Sequence, residues 1–176
     1  MTQDQFQQIT SASIQRVDLF FPYLSKYMVM FDIVGKLREA AFLGEILWES
    51  GNLRYTKEIA SGIAYEGRKD LGNIHKGDGT KFKGRGLIQI TGESNYKEIS
   101  DIFGEDFINH PELLETPRFA CKSAAWWFKH HGLNELADVK NFNLITKRVN
   151  GGYNGLAGRT LIYEKALKVL TENIIA

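Results

Sequence analysis

Cysteine, proline and net charge are all scarce in this chain, and each scarcity excludes something. The 176 residues contain one cysteine, Cys121, so no internal disulfide framework holds the fold. Three prolines stand against 17 glycines, which suggests helices joined by glycine-rich loops. Lysine plus arginine number 22 and aspartate plus glutamate 21, a formal net charge of +1. A protein that binds nucleic acid by neutralising phosphates needs a marked basic excess, so no nucleic-acid partner is expected. Long apolar runs are missing too. The most apolar early stretch, Val17 to Val34, is broken by Asp18, Pro22, Lys26 and Asp32, so no stable membrane insertion is expected. Met1 to Gln5 form neither the basic start nor the apolar run of an export signal, and the expectation is a chain made in the cytoplasm. What the chain does have is core material. It is 43% hydrophobic and 12% aromatic, with 11 Phe, 7 Tyr and 3 Trp, enough to build a sizeable core at the length of one domain.

Apolar residues recur at helical spacing at both ends of the chain. Thr2 to Gln5 has the spacing of a capping box, which predicts a helix from Gln3 to about Ser11. Val17, Phe20, Leu24, Tyr27, Met28 and Phe31 predict a second. A third, about Lys36 to Ser50, stacks Ala40, Leu43, Leu47 and Trp48 and stops at Gly51-Asn52. The texture then changes: nine glycines fall between Gly51 and Gly92, with one turn of helix near Tyr65 to Leu71. Lys83 to Thr91 reads as a short strand on its Leu87, Ile88 and Ile90. Helices resume at Glu93 to Phe103, from Thr116-Pro117 to about His131, at Asn141 to Val149, and at about Leu156 to Ile174. The expected fold class is therefore α+β, mostly α-helical, with a glycine-rich loop and short-strand region. Glycine-rich stretches this long inside one domain carry function more often than scaffold.

Two familiar site types are excluded by spacing. Gly79 to Gly84 has the glycine spacing of a phosphate loop, but Arg85-Gly86 stands where Lys-Ser/Thr is needed. His75, His110, His130 and His131 show no metal-ligand spacing, and no metal or other cofactor is expected. The carboxylates are more informative. Glu49 falls in the last turn of the third helix, where the helix dipole and an apolar neighbourhood both favour the protonated form that a general acid needs. Glu58 follows nine residues later, beyond Gly51-Asn52, and a chain reversal there brings it back towards Glu49. Two carboxyls about 6.5–9.5 Å apart suit an inverting glycosidase, with room for one water. Spacing alone also allows two solvated surface groups.

A longer run of text surrounds that pair. Ala41-Phe-Leu-Gly-Glu-Ile-Leu-Trp-Glu-Ser-Gly51 is followed by Leu71-Gly-Asn73, Gly77-Asp-Gly79, Lys83-Gly-Arg-Gly-Leu-Ile-Gln-Ile-Thr-Gly92 and Asn95-Tyr96. Then come Pro111-Glu-Leu113, Ala124-Ala-Trp-Trp-Phe128, Asn150-Gly-Gly152 and Arg159. In this order the blocks resemble glycoside hydrolase family 19, the family of plant-type chitinases and many bacteriophage endolysins. The resemblance covers about Ala40 to Ala166. It implies a single lysozyme-like, two-lobed catalytic domain over residues 1–176, with N-terminal helices in 1–35 and the catalytic core in 36–176.

Residue by residue, the resemblance implies that Glu49 is the general acid, Glu58 the general base, and Thr91 a hydroxyl holding the attacking water. Gln89, Asn95, Tyr96 and Asn150 match positions lining the sugar cleft. Arg85 and Arg159 match charged positions near the catalytic carboxylates. Two departures stand out. Trp48 occupies a position where His is common, and Glu45 one where a neutral residue is common, so repulsion between Glu45 and Glu49 is expected to favour a protonated acid. With no export signal, no cysteine framework and a minimal catalytic domain, the expected activity is that of a phage or prophage endolysin. Such an enzyme would be a bacteriolytic, antimicrobial lysozyme cutting the N-acetylmuramic acid–N-acetylglucosamine bond of peptidoglycan. It would act as a monomer, wait in the host cytoplasm, and reach the cell wall through a holin or similar lesion. A chitinase is the alternative.

Overall fold

The computed structural model describes residues 1–172. Its helices are α1 (Gln3–Ile9), α2 (Ile14–Met30), α3 (Lys36–Glu49), α4 (Asp78–Lys81), α5 (Glu93–Phe103), α6 (Pro117–His130), α7 (Leu133–Asp138), α8 (Phe142–Asn150) and α9 (Leu156–Glu172). Short 3-10 turns at Ile63–Tyr65, Lys69–Leu71 and Pro111–Glu115 complete the set of described helical elements.

The capping signals explain most helix ends. The Thr2 hydroxyl accepts from the Gln5 N–H at 3.2 Å, and the Gln5 side chain accepts from the Thr2 N–H at 2.7 Å, closing the capping box. α1 stops at Ile9, short of Ser11, as Thr10 turns extended and its hydroxyl donates to Asn52 Oδ1 at 3.0 Å. α5 ends on Gly104 at φ 67°. Pro117 opens α6, but the Thr116 hydroxyl donates to the Leu113 carbonyl at 2.7 Å and makes no cap bond. Asn141 caps α8 by accepting from the Leu144 N–H at 3.2 Å. The expected end of α9, at Ile174, lies outside the described residues.

The short strand is not there. Among the described residues the fold is all-α, with two isolated antiparallel bridges, Lys57 to Arg85 and Arg85 to Ile90. Leu87, Ile88 and Ile90 are buried as their apolarity requires, but Gly86 and Gln89 take φ of 80° and 60°. Two left-handed residues three positions apart fold the segment back on itself, and no extended run survives. The expected α+β class is corrected accordingly. The β-forming side chains serve the core from a tight loop.

α3 is deeply enclosed, with Ala40 to Leu47 buried throughout. It lies along α9, and glycine permits the approach. A Cβ at Gly44 would stand 2.9 Å from the Phe142 ring, which stacks on Tyr163 at a centroid distance of 4.4 Å. The Trp48 indole rests on Gly155 and Gly158 of the α9 end, where any added Cβ would overlap it. This contact sets the height of α9 against α3 and so brings Arg159 level with Glu45 and Glu49. The core is one cluster running from Phe6 in α1 to Leu170 in α9. Each fully buried Leu or Phe in it is worth roughly 1.5–3 kcal/mol. Phe128 packs edge-on against Phe42 at 5.3 Å, and Cys121 is buried, which pushes its thiol up and leaves it unreactive.

Candidate active site

Glu49 is the last residue of α3. Just beyond it the chain reverses: Asn52 and Leu53 take left-handed φ of 58° and 64°, and the Ser50 hydroxyl accepts from the Leu53 N–H at 2.9 Å. Leu53 is buried, and its burial offsets the cost of an unfavourable backbone for a bulky residue. The reversal returns residues 55–60 to the open end of α3. Glu49, Tyr55, Lys57, Glu58, Ile59, Ala60 and Gln89 then line one cleft of about 320 Å³. The two expected carboxylates thus share a cavity.

Glu58 is held by the glycine-rich loop. Its backbone N–H donates to the Gly84 carbonyl at 2.9 Å, and its Oε2 accepts from the Gly84 N–H at 3.2 Å. Tyr65 donates its hydroxyl to Glu58 Oε1 at 3.1 Å. Burial first, and then the Glu58 carboxylate, push the Tyr65 phenol up, so it stays a donor. Gly84 is glycine for a reason: a Cβ there would sit 2.7 Å from Gln89 Oε1 and 3.3 Å from both Glu58 Oε2 and Thr91 Oγ1. Three polar side chains therefore converge over one bare backbone position. Thr91 is not among the cleft-lining residues, and it spends its proton on the Gln89 carbonyl at 2.9 Å, so its hydroxyl can otherwise only accept. Gln89 holds its left-handed backbone while Nε2 donates to the Gly86 carbonyl at 2.9 Å.

The remaining expected residues divide. Asn95 is exposed near the start of α5, tied to the Thr91 carbonyl at 2.7 Å. Tyr96 is 0% exposed and so cannot line a sugar cleft. Its hydroxyl donates to the Lys83 carbonyl at 2.6 Å and accepts from Arg85 at 2.9 Å, and burial pushes it up to about 12. Arg85 pairs with Glu115 at 2.9 Å and donates to the Lys81 carbonyl at 2.7 Å, with neither Glu49 nor Glu58 among its partners. Together Arg85 and Tyr96 fasten the loop that holds Glu58 and do not touch the cavity. Asn150 closes α8 ahead of Gly151 at φ 74° and is not among the cleft-lining residues.

Arg159 is 2% exposed and donates one guanidinium arm to Glu45 Oε2 and the other to Glu49 Oε1. The expected repulsion between Glu45 and Glu49 is present as a minor push on Glu45, and the cation bound to both carboxylates offsets it. Glu45 is wholly buried, and its Oε1 accepts from the Thr146 hydroxyl at 2.6 Å. Burial pushes the Glu45 carboxyl up, against the pull of Thr146 and Arg159. Tyr65 and Thr146 were not legible as partners of the carboxylates, since Glu58 lies in a loop with no period to read and Thr146 is 101 residues from Glu45.

A model of the family described as Chitinase class I matches residues 49–139, beginning at Glu49 itself. The chain belongs to glycoside hydrolase family 19. A Haemophilus influenzae family 19 domain-containing protein is 32% identical over 171 residues, covering 80% of this chain and 82% of the relative. The acidic 27 kDa endochitinase of tomato (Solanum lycopersicum) is 33% identical over 101 residues, covering 55% of this chain and 38% of its own. This family 19 chain therefore spans about four-fifths of the bacterial relative but well under half of the plant one. Two solved structures share the fold. A bacterial family 19 chitinase superposes with TM-score 0.78 at 21% identity, over 97% of this chain and 94% of that one. Chitinase C of Streptomyces griseus gives 0.76 at 21% identity, over 96% of this chain and 76% of that one. The relatives whose names state a substrate are endochitinases and chitinases. This overturns the expected peptidoglycan endolysin, its lysozyme activity, and with them the cell-wall and holin partners. The family 19 chain is a glycoside hydrolase.

Tyr65→Phe tests the support of Glu58. A hydrogen bond to an ionised group is worth about 1.5–3 kcal/mol, so turnover is expected to fall on the order of tenfold with KM little changed. Steady-state kinetics on a soluble chitin oligosaccharide checks it. Unchanged turnover would leave Tyr65 a bystander.

Proposed function

We propose that this family 19 hydrolase cleaves β-1,4-linked N-acetylglucosamine polymers, that is, chitin and its oligosaccharides, with inversion at the anomeric carbon. The observation that carries the reading is the shared cleft. Glu49 enters it from the end of α3 and Glu58 from the returning loop. In this reading Glu49 protonates the glycosidic oxygen as the bond breaks, and Glu58 takes a proton from the attacking water. Thr91 and Gln89, gathered with Glu58 over Gly84, supply acceptors for that water's hydrogens and set its angle of approach. Asn95 at the exposed edge and the apolar Ile59 and Ala60 of the wall are the proposed sugar contacts. Amides match acetamido and hydroxyl groups, and alkyl side chains match the faces of the pyranose ring.

The stereochemistry is the test. An inverting enzyme frees the new reducing end as the α-anomer, whereas a covalent route, with carboxylates about 5–5.5 Å apart, gives the β-anomer first. Proton NMR of the earliest products from N-acetylglucosamine hexamer is expected to show α before mutarotation. Early β-anomer would overturn the mechanism. No cleavage of the hexamer would overturn the substrate.

A further inference from the structure

We infer that Glu45 is a positioning residue for the reaction: by engaging one arm of Arg159, it offsets the cationic charge that would otherwise bear on Glu49 alone, and so lets Glu49 keep the proton it donates. The inference rests on the reading of Glu49 as general acid.

An arginine beside a general acid works against it, because a nearby cation favours the carboxylate. Here the guanidinium is buried and reaches Glu49 directly, so water does little to weaken its field. Glu45 supplies the counterweight. It lies one helical turn before Glu49 on α3, wholly buried, with Arg159 donating to Oε2 and Thr146 to Oε1. Both of its oxygens face donors, the arrangement of an ionised, acceptor-only carboxylate. With Glu45 ionised, Glu45 and Arg159 form a neutral pair, and the second arm of Arg159 orients Glu49 without a net positive charge behind it. The other groups facing this cluster are few: α9 contributes Arg159, α8 contributes Thr146, and the far wall of the cleft contributes Glu58, Lys57 and Tyr55. Lys57 is already paired with Glu115 at 3.3 Å. Glu45 is thus the group placed to balance Arg159 from inside the core. Burial of Glu45 opposes its ionisation, so Thr146 is part of the device: its hydroxyl favours the charged form.

Glu45→Gln tests this with almost no change in shape. The amide oxygen can still accept from Arg159 and the amide nitrogen can donate to Thr146, but the charge is gone. The alkaline limb of the pH profile for turnover of N-acetylglucosamine hexamer is expected to move down by about one pH unit, with KM unchanged. Turnover at neutral pH would fall several-fold, and Glu45→Asp would recover much of the limb. Thr146→Val, which changes no charge and weakens the ionised Glu45, is expected to move the limb in the same direction by less. A structural role alone would shift the melting temperature and leave the limb in place. An unmoved limb in folded Glu45→Gln or in Thr146→Val, with Glu49→Gln inactive, overturns the inference and leaves the acid assignment standing. An active Glu49→Gln overturns the acid assignment and the inference together.

Discussion

Glu49→Gln is expected to lower turnover of chitin oligosaccharides by at least about a hundredfold, the usual scale for losing a general acid, while the protein stays folded. The geometry explains why both halves of that result belong together. The glutamine oxygen can accept from Arg159 as the carboxylate Oε1 does, so the contact between α3 and α9 survives. What is lost is the proton. In the proposed reaction the N-acetylglucosamine alkoxide is a poor leaving group, and protonation is what eases its departure. KM should move little, since the amide fills the same volume and the sugar contacts proposed at Asn95, Ile59 and Ala60 are untouched. Single-turnover kinetics beside a thermal melt checks both. Near wild-type turnover in a folded variant would remove Glu49 from the acid's role.

The sequence carried the helices well where local chemistry decides them. The capping box at Thr2, the glycine at 104 and the proline at 117 mark ends that the structure keeps, since each acts within one turn of its own residue. The segment Lys83 to Thr91 failed for an equally physical reason. Strand propensity there reflects apolar, β-branched side chains that do need burial, but the backbone direction is set by Gly86 and by the left-handed Gln89. A non-glycine residue at positive φ leaves no compositional mark. That Glu49 and Glu58 share a cleft was legible because Gly51-Asn52 announces a reversal between two carboxylates. Tyr96 and Arg85 were not legible as loop fasteners, since a family pattern records position and says nothing of which way a side chain points. Substrate fared worst. The chain's length, its single cysteine and its first residues bear on how a protein is made, and none of them touches the sugar.

Arg159→Met should be the most destabilising single change near the site. The substitution keeps a long, buried side chain but removes the cation from between two carboxylates, one of them wholly buried. Breaking a buried ion pair by deleting one partner costs about 3–5 kcal/mol, because the charge left behind has lost both water and its counterion. For a chain of this size each kcal/mol is worth roughly 2–4 °C, so a fall in melting temperature on the order of 10 °C is expected at neutral pH. The pH dependence makes the cause visible. Burial already raises the Glu45 carboxyl above its ordinary 4.5, so the folded chain takes up that proton at higher pH than the unfolded one. The group's contribution to stability is therefore fullest below the unfolded value and fades as pH rises through the folded one. Removing Arg159 raises the folded value further and widens that window upward. The deficit of Arg159→Met relative to wild type should accordingly shrink as pH is lowered towards 5 and grow towards 8. Adding Glu45→Gln to Arg159→Met removes the stranded charge and should recover a large part of the loss, the non-additivity expected of two groups in contact. Thermal melts of the three variants from pH 5 to 8 decide it: a deficit that is the same at every pH, or no recovery in the double variant, would mean that Arg159 stabilises by packing alone.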